Sequence, residues 1–142
     1  MPGTSFSSRR TVLAGLVTSA ASLLITACQS TGSARTGACA PGDPKLVGHY
    51  YLNGVMEVGS ELLLKPDGSF EFYLAYGALD QYGKGCWRVE GNQVLVIPEG
   101  RSAPAAVYSI ESSKFVGFTL TIEGKALVWN LGGGHRGRYE RG

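Results

Sequence analysis

Three tight bends, each with apolar residues at mirrored distances on either side, constrain this chain more than any other feature. In Lys65-Pro66-Asp67-Gly68, proline presets φ, aspartate caps its own backbone and glycine takes the left-handed position of a three-residue hairpin with a bulge. Pairing outward from that bend sets Leu64 opposite Phe70 and Leu62 opposite Phe72. Phe70, Phe72, Leu74 and Tyr76 then alternate with Glu71, Tyr73 and Ala75, the period-two pattern of a strand with one apolar face. Gly91-Asn92 is a two-residue hairpin signal that sets Val89 opposite Val94 and Trp87 opposite Val96. Glu123-Gly124 sets Leu120 opposite Leu127, Phe118 opposite Trp129 and Val116 opposite Leu131. A one-residue slip in any bend would send its whole apolar set to the other face. The agreement of all three on one face therefore points to a sheet with an apolar side.

A first strand from Leu46 to Leu52 and a short one from Val107 to Glu111 bring the count to about seven or eight strands in roughly 90 residues, enough for one small core. A meander with one apolar face has to close on itself or stack in two layers to cover that face. The expected fold is therefore all-β, a small antiparallel meander closing as a barrel or a two-layer sandwich. Gly48-His49-Tyr50 resembles the Gly-x-Trp opening of lipocalins, with tyrosine in the tryptophan position. That resemblance implies an up-and-down barrel.

Ahead of this region the chain has a different character. A polar head whose only charged side chains are Arg9 and Arg10 precedes an apolar segment from Val12 to Ala27, and Cys28 follows. This is the charged, apolar, small-residue order of an export signal. The apolar segment is diluted by Gly15, Thr18, Ser19, Ser22 and Thr26, whereas a spanning helix needs about 20 predominantly apolar residues. Ile25-Thr26-Ala27-Cys28 resembles the lipobox of bacterial lipoproteins, and the resemblance implies acylation of Cys28 at a new N-terminus. Ser8-Arg9-Arg10-Thr11-Val12-Leu13 resembles a twin-arginine export motif, with Val12 where an aromatic is common and Ala14 where a lysine is common. The ordinary unfolded-export route is the alternative. Two or more acyl chains give stable anchoring where one gives only marginal binding. Gln29 follows the cysteine, not the aspartate that in enteric bacteria tends to retain lipoproteins at the inner membrane, so the expected address is the periplasmic side of the outer membrane.

The expected organisation is a signal peptide over 1–27, a lipidated N-terminus and flexible tether over 28–43, a β-domain over 44–131 and a flexible basic tail over 132–142. Residues 29–43 are rich in Ser, Thr, Gly and Ala without apolar periodicity, hence the tether. The chain has 13 basic and 11 acidic residues, and loss of Arg9 and Arg10 with the signal leaves it formally neutral. A neutral surface exerts no long-range pull on polyanions, which argues against nucleic acid as a partner. With Cys28 acylated, Cys39 and Cys86 remain, an even pair in an oxidising compartment. Two readings stand: a disulfide closing a loop of about 48 residues, or a buried Cys86 with a free Cys39 thiol.

The chain spells out no nucleophile elbow, metal-ligand spacing or phosphate loop, and its only histidines are His49 and His135. No cofactor or metal is expected, and His49 reads as a strand residue with a satisfied ring. The segment Tyr76–Gly85 reads as a long hairpin connection clustering Tyr76, Asp80, Tyr82 and Lys84 as binding candidates. Glu57, Glu61 and Asp80 are the only acids placed for general acid–base work. The leading expectation is a lipid-anchored, noncatalytic envelope module that binds an apolar small molecule, a lipid or an envelope protein through its open end or mixed face. A carboxylate-dependent hydrolase or isomerase and a purely structural envelope lipoprotein are the alternatives.

Overall fold

The structure, a computed structural model, describes residues 38–142. The export signal, the arginine pair and Cys28 lie outside the described residues. Within them the fold is all-β. Eight strands run in chain order: β1 (Gly48–Asn53), β2 (Val58–Leu64), β3 (Ser69–Tyr76), β4 (Leu79–Glu90), β5 (Gln93–Pro98), β6 (Phe118–Glu123), β7 (Ala126–Gly132) and β8 (His135–Arg141). Each pairs antiparallel with its sequence neighbour, and β1 pairs with β8, closing the barrel. Closure, rather than stacking in two layers, removes every open edge.

The first two bends act as their residue types dictate. Leu64 faces Phe70 and Leu62 faces Phe72 across β2 and β3, with Gly68 at φ 79° and the Asp67 carboxylate accepting from the Ser69 amide at 2.9 Å and hydroxyl at 2.6 Å. Those two donors hold the Asp67 carboxyl below its ordinary value. Val89 faces Val94 and Trp87 faces Val96 across β4 and β5. The third bend differs: its loop is Gly124-Lys125, and Leu120 faces Trp129 while Ile122 faces Leu127. The pairing is displaced by two residues from Leu120–Leu127, and a two-residue displacement keeps every side chain on its face. Gly124, at φ 63°, takes the first loop position, which a primed two-residue turn requires to be left-handed.

Other expectations are corrected. Val107–Glu111 is not a strand but lies in the long connection 99–117 between β5 and β6. The first strand begins at Gly48 rather than Leu46. Tyr76–Gly85 is not a loop: β3 and β4 meet in a tight turn at Gly77-Ala78, and the rest of that segment is β4. Nor is His135–Arg141 a solvated tail. It is β8, whose Gly137 and Tyr139 alternate inward against Trp129 and Leu127, so the β-domain runs to Arg141. The tether also ends earlier than Asp43. Cys39 and Cys86 are joined in a disulfide, the Gly42 amide donates to the Pro66 carbonyl at 3.1 Å, and Gly42 lies so close to the Trp87 ring that no side chain would fit there.

The interior is filled from both ends. Tyr50, Leu62, Leu64, Phe70, Phe72, Leu74, Trp87, Val94, Val96, Phe118, Leu120, Leu127, Trp129 and Tyr139 form one buried cluster, close-packed in the manner of protein interiors. At the end carrying the bends 65–68, 91–92 and 124–125, the arm from residue 38 to 47 covers Trp87, whose ring nitrogen donates to the Lys65 carbonyl at 3.0 Å. Tyr50 donates to the Leu46 carbonyl at 2.8 Å and accepts from Arg141 at 2.9 Å. At the other end, the mouth, the 99–117 connection inserts Tyr108 and Phe115 among Phe72, Phe118 and Trp129. Among the described residues every buried side-chain nitrogen and oxygen has a hydrogen-bond partner.

Candidate functional site

Strand alternation decides where each candidate goes. In β3, Phe70, Phe72 and Leu74 point inward, and Tyr76 continues that face to end half-buried at the mouth. In β4, Gln81 points inward and is buried, while Asp80, Tyr82 and Lys84 point out. The four candidates therefore separate, Tyr76 to the mouth and the other three to the outer wall.

On that wall, pairing across four strands aligns Tyr51, Glu61, Tyr73 and Tyr82 in one row and His49, Leu63, Glu71 and Lys84 in the next. Tyr73 and Tyr82 stand with ring centroids 4.9 Å apart, and the Tyr73 hydroxyl donates to Asp80 at 3.0 Å. That carboxylate holds the Tyr73 phenol above its ordinary value. One nitrogen of His49, Nε2, lies 3.0 Å from Glu61, and the other, Nδ1, 3.1 Å from the Tyr51 hydroxyl. Both ring nitrogens are thus engaged, as a satisfied strand histidine requires. His49, Glu61, Tyr73, Tyr82 and Lys84 line a shallow groove of about 550 Å³. The Tyr51–His49–Glu61 chain was missed in the sequence. The first hairpin did carry a signal for part of the row, since pairing Leu62 with Phe72 also places Glu61 opposite Tyr73.

The acids proposed for acid–base work do not form a pair. Glu57 sits in the mouth turn before β2 with φ 62°, Glu61 is held by His49, and Asp80 accepts from Tyr73. No cluster of three or more His, Cys, Asp or Glu side chains among the described residues could hold a metal ion.

At the mouth, Val55, Met56, Val58, Tyr76, Ile110 and Leu131 surround a hollow of about 560 Å³. Met56 is 87 % exposed, although burial of a methionine side chain is worth about 1.5–3 kcal/mol. The floor of this hollow is the inserted connection. Gln81 holds it, donating from Nε2 to the Ile110 carbonyl at 3.2 Å and to the Ser112 carbonyl while its Oε1 accepts from the Tyr108 hydroxyl. Nothing in the sequence signals this latch, because a lone glutamine on an apolar face declares no partner.

Fold and site together define a closed, eight-stranded antiparallel barrel with a filled interior and two surface features, an apolar mouth and a tyrosine-bearing wall. Compared with known proteins, the chain matches no family model, no curated protein and no solved structure.

Proposed function

We propose that this chain is a lipid-anchored, noncatalytic domain of the cell envelope, held on the periplasmic side of the outer membrane by acyl chains on Cys28. It acts by presenting a surface rather than by enclosing a ligand. The observation that carries this reading is the contrast between the two parts of the mouth. The barrel lumen is occupied by the protein's own Tyr108 and Phe115 rings, which leaves no room for the interior apolar ligand of a lipocalin-like barrel. Just above them, Val55, Met56, Ile110 and Leu131 offer apolar surface at the end opposite the 38–47 arm. Exposed apolar surface of this kind marks contact with a lipid or a protein. An anchor leading into the arm would leave the mouth as the free end.

Two measurements test the reading. Metabolic labelling with a palmitate analogue is expected to mark the wild-type protein and not C28A, with C28A lost from the membrane fraction. Native mass spectrometry and crosslinking after mild detergent extraction are expected to show a lipid or protein held by the wild type and released from M56K. Label retained in C28A would sink the anchor, and an identical complement of bound species in M56K would sink the mouth. The carboxylate-dependent alternative draws no support from the acids, since Glu61 is engaged by His49 and Asp80 by Tyr73 while Glu57 stands in the mouth turn.

A further inference from the structure

We propose that the outer wall of β1–β4 binds a neutral, pyranose-based polysaccharide chain. The surface is separate from the mouth and the inference does not depend on the anchor. Tyr82 is 71 % exposed and Tyr51 is 41 % exposed, whereas Tyr50, Tyr139 and both tryptophans are buried. Tyrosine offers a flat, rigid apolar surface at low entropic cost, with a polar tip. Here the rings are set before anything arrives: Tyr73 is fixed by Asp80 and lies against Tyr82 at a 37° tilt. Next to that pair, Gly59 and Ala75 occupy the row that ends in Asp80, so small side chains leave a shelf beside the aromatic surface.

A pyranose ring has apolar faces formed by its C–H groups and a rim of hydroxyls. The tyrosine rings match the faces, and the rim meets Glu61, Asp80 and His49, groups that accept or donate hydrogen bonds to hydroxyls. Charge narrows the class further. Glu61, Glu71 and Asp80 outnumber Lys84 and the Lys65 that pairs with Glu71, and like charges disfavour phosphorylated or acidic chains. A protein partner fits less well, because protein hot spots are anchored in desolvated apolar pockets and Leu63 is the only aliphatic side chain lining this groove.

The test is a proton–nitrogen NMR titration of the full chain in detergent micelles. The probes are soluble β-linked glucose oligosaccharides, soluble N-acetylated amino-sugar oligosaccharides, and dextran sulfate as the anionic counterpart, each at millimolar concentration. The expected result is saturable shifts with a neutral oligosaccharide, confined to residues of β1–β4 that face outward. Binding should weaken about tenfold in Y82A, and D80N should weaken it with the Tyr82 ring untouched. Both side chains are on the surface, so the variants' dispersed spectra report retained folding. Any of three results overturns the proposal: no shifts with either neutral oligosaccharide, shifts unchanged in Y82A, or equal binding of dextran sulfate. A Y82A-sensitive crosslink to an envelope protein, with both oligosaccharides silent, would reassign the wall to protein docking.

Discussion

The Phe115 ring lies against the inner side of β4 at Gly83, where a Cβ on residue 83 would fall inside the ring's van der Waals surface. The same ring meets Phe72 at 4.6 Å, Phe118 at 5.7 Å and Phe70 at 5.8 Å between centroids. Gly83 is thus the seat that lets the 99–117 connection close the barrel from above. Its lack of a side chain is a packing requirement rather than a turn requirement.

Adding one methyl group there tests the seat. G83A is expected to destabilise the fold by about 1–3 kcal/mol through overpacking, read as a lower denaturant midpoint at unchanged slope. G59A, where no atom lies within 4 Å of the added Cβ, is expected to stay within about 0.5 kcal/mol of wild type.

The Gln81 latch makes a second prediction. Q81L keeps the side chain's bulk but leaves the Tyr108 hydroxyl and the Ile110 and Ser112 carbonyls without the partner they now have. A loss of about 1–3 kcal/mol is expected. Hydrogen exchange should rise in residues 105–116 before it rises in the strands, because the connection is held to the barrel there.

Tyr139 predicts a pH dependence. Burial pushes its phenol well above the ordinary value of 10.0. The unfolded chain gives up this proton near pH 10 and the folded chain does not, so the contribution is complete below that pH. It declines above it by about 1.4 kcal/mol per pH unit. Y139F is expected to cost about 1 kcal/mol at neutral pH, since the Ser60 hydroxyl still donates to the Tyr73 carbonyl at 2.6 Å. Denaturation midpoints measured from pH 8 to 11.5 should show the gap between wild type and Y139F narrowing once the pH passes about 10 and reversing before the end of that range.

Removing the Cys39–Cys86 bridge by replacing both residues with alanine is expected to cost about 4 kcal/mol on the chain-entropy account. The variant's unfolding midpoint should be lower and the same with or without reductant, while that of wild type falls when reductant is added.

How much of this was legible depended on whether a residue's neighbours were close in sequence. Lys65-Pro66-Asp67-Gly68 and Gly91-Asn92 fixed their registers because turn chemistry and flanking alternation are local. Glu123-Gly124 points to Leu120 opposite Leu127, two residues from the pairing with Trp129 that forms, because either partner satisfies the apolar face. Strand β8 reads as a tail because its charged residues, Arg136, Arg138, Glu140 and Arg141, hide the inward pair Gly137 and Tyr139. What exposes that pair is contact with β1, some 87 positions away in the case of Asn53 and Glu140. The wall was half legible: Tyr82 and Asp80 were singled out, but their grouping with Tyr51 and His49 depends on a four-strand row that no single hairpin displays. The plug and the Gln81 latch were not legible at all, because a long connection without periodicity gives no sign of which end of a barrel it will enter.

The bridge at Cys39 also bears on reach. If Cys28 carries the acyl chains as proposed, the segment between anchor and barrel ends at the disulfide and not at Asp43. Eleven residues, even drawn out straight, span no more than about 40 Å. Reduction would lengthen that leash only as far as Gly42, whose amide the Pro66 carbonyl still holds, about 10 Å more, so the oxidation state of one sulfur pair would trim, in a single short step, how far the tyrosine wall stands from such an anchor.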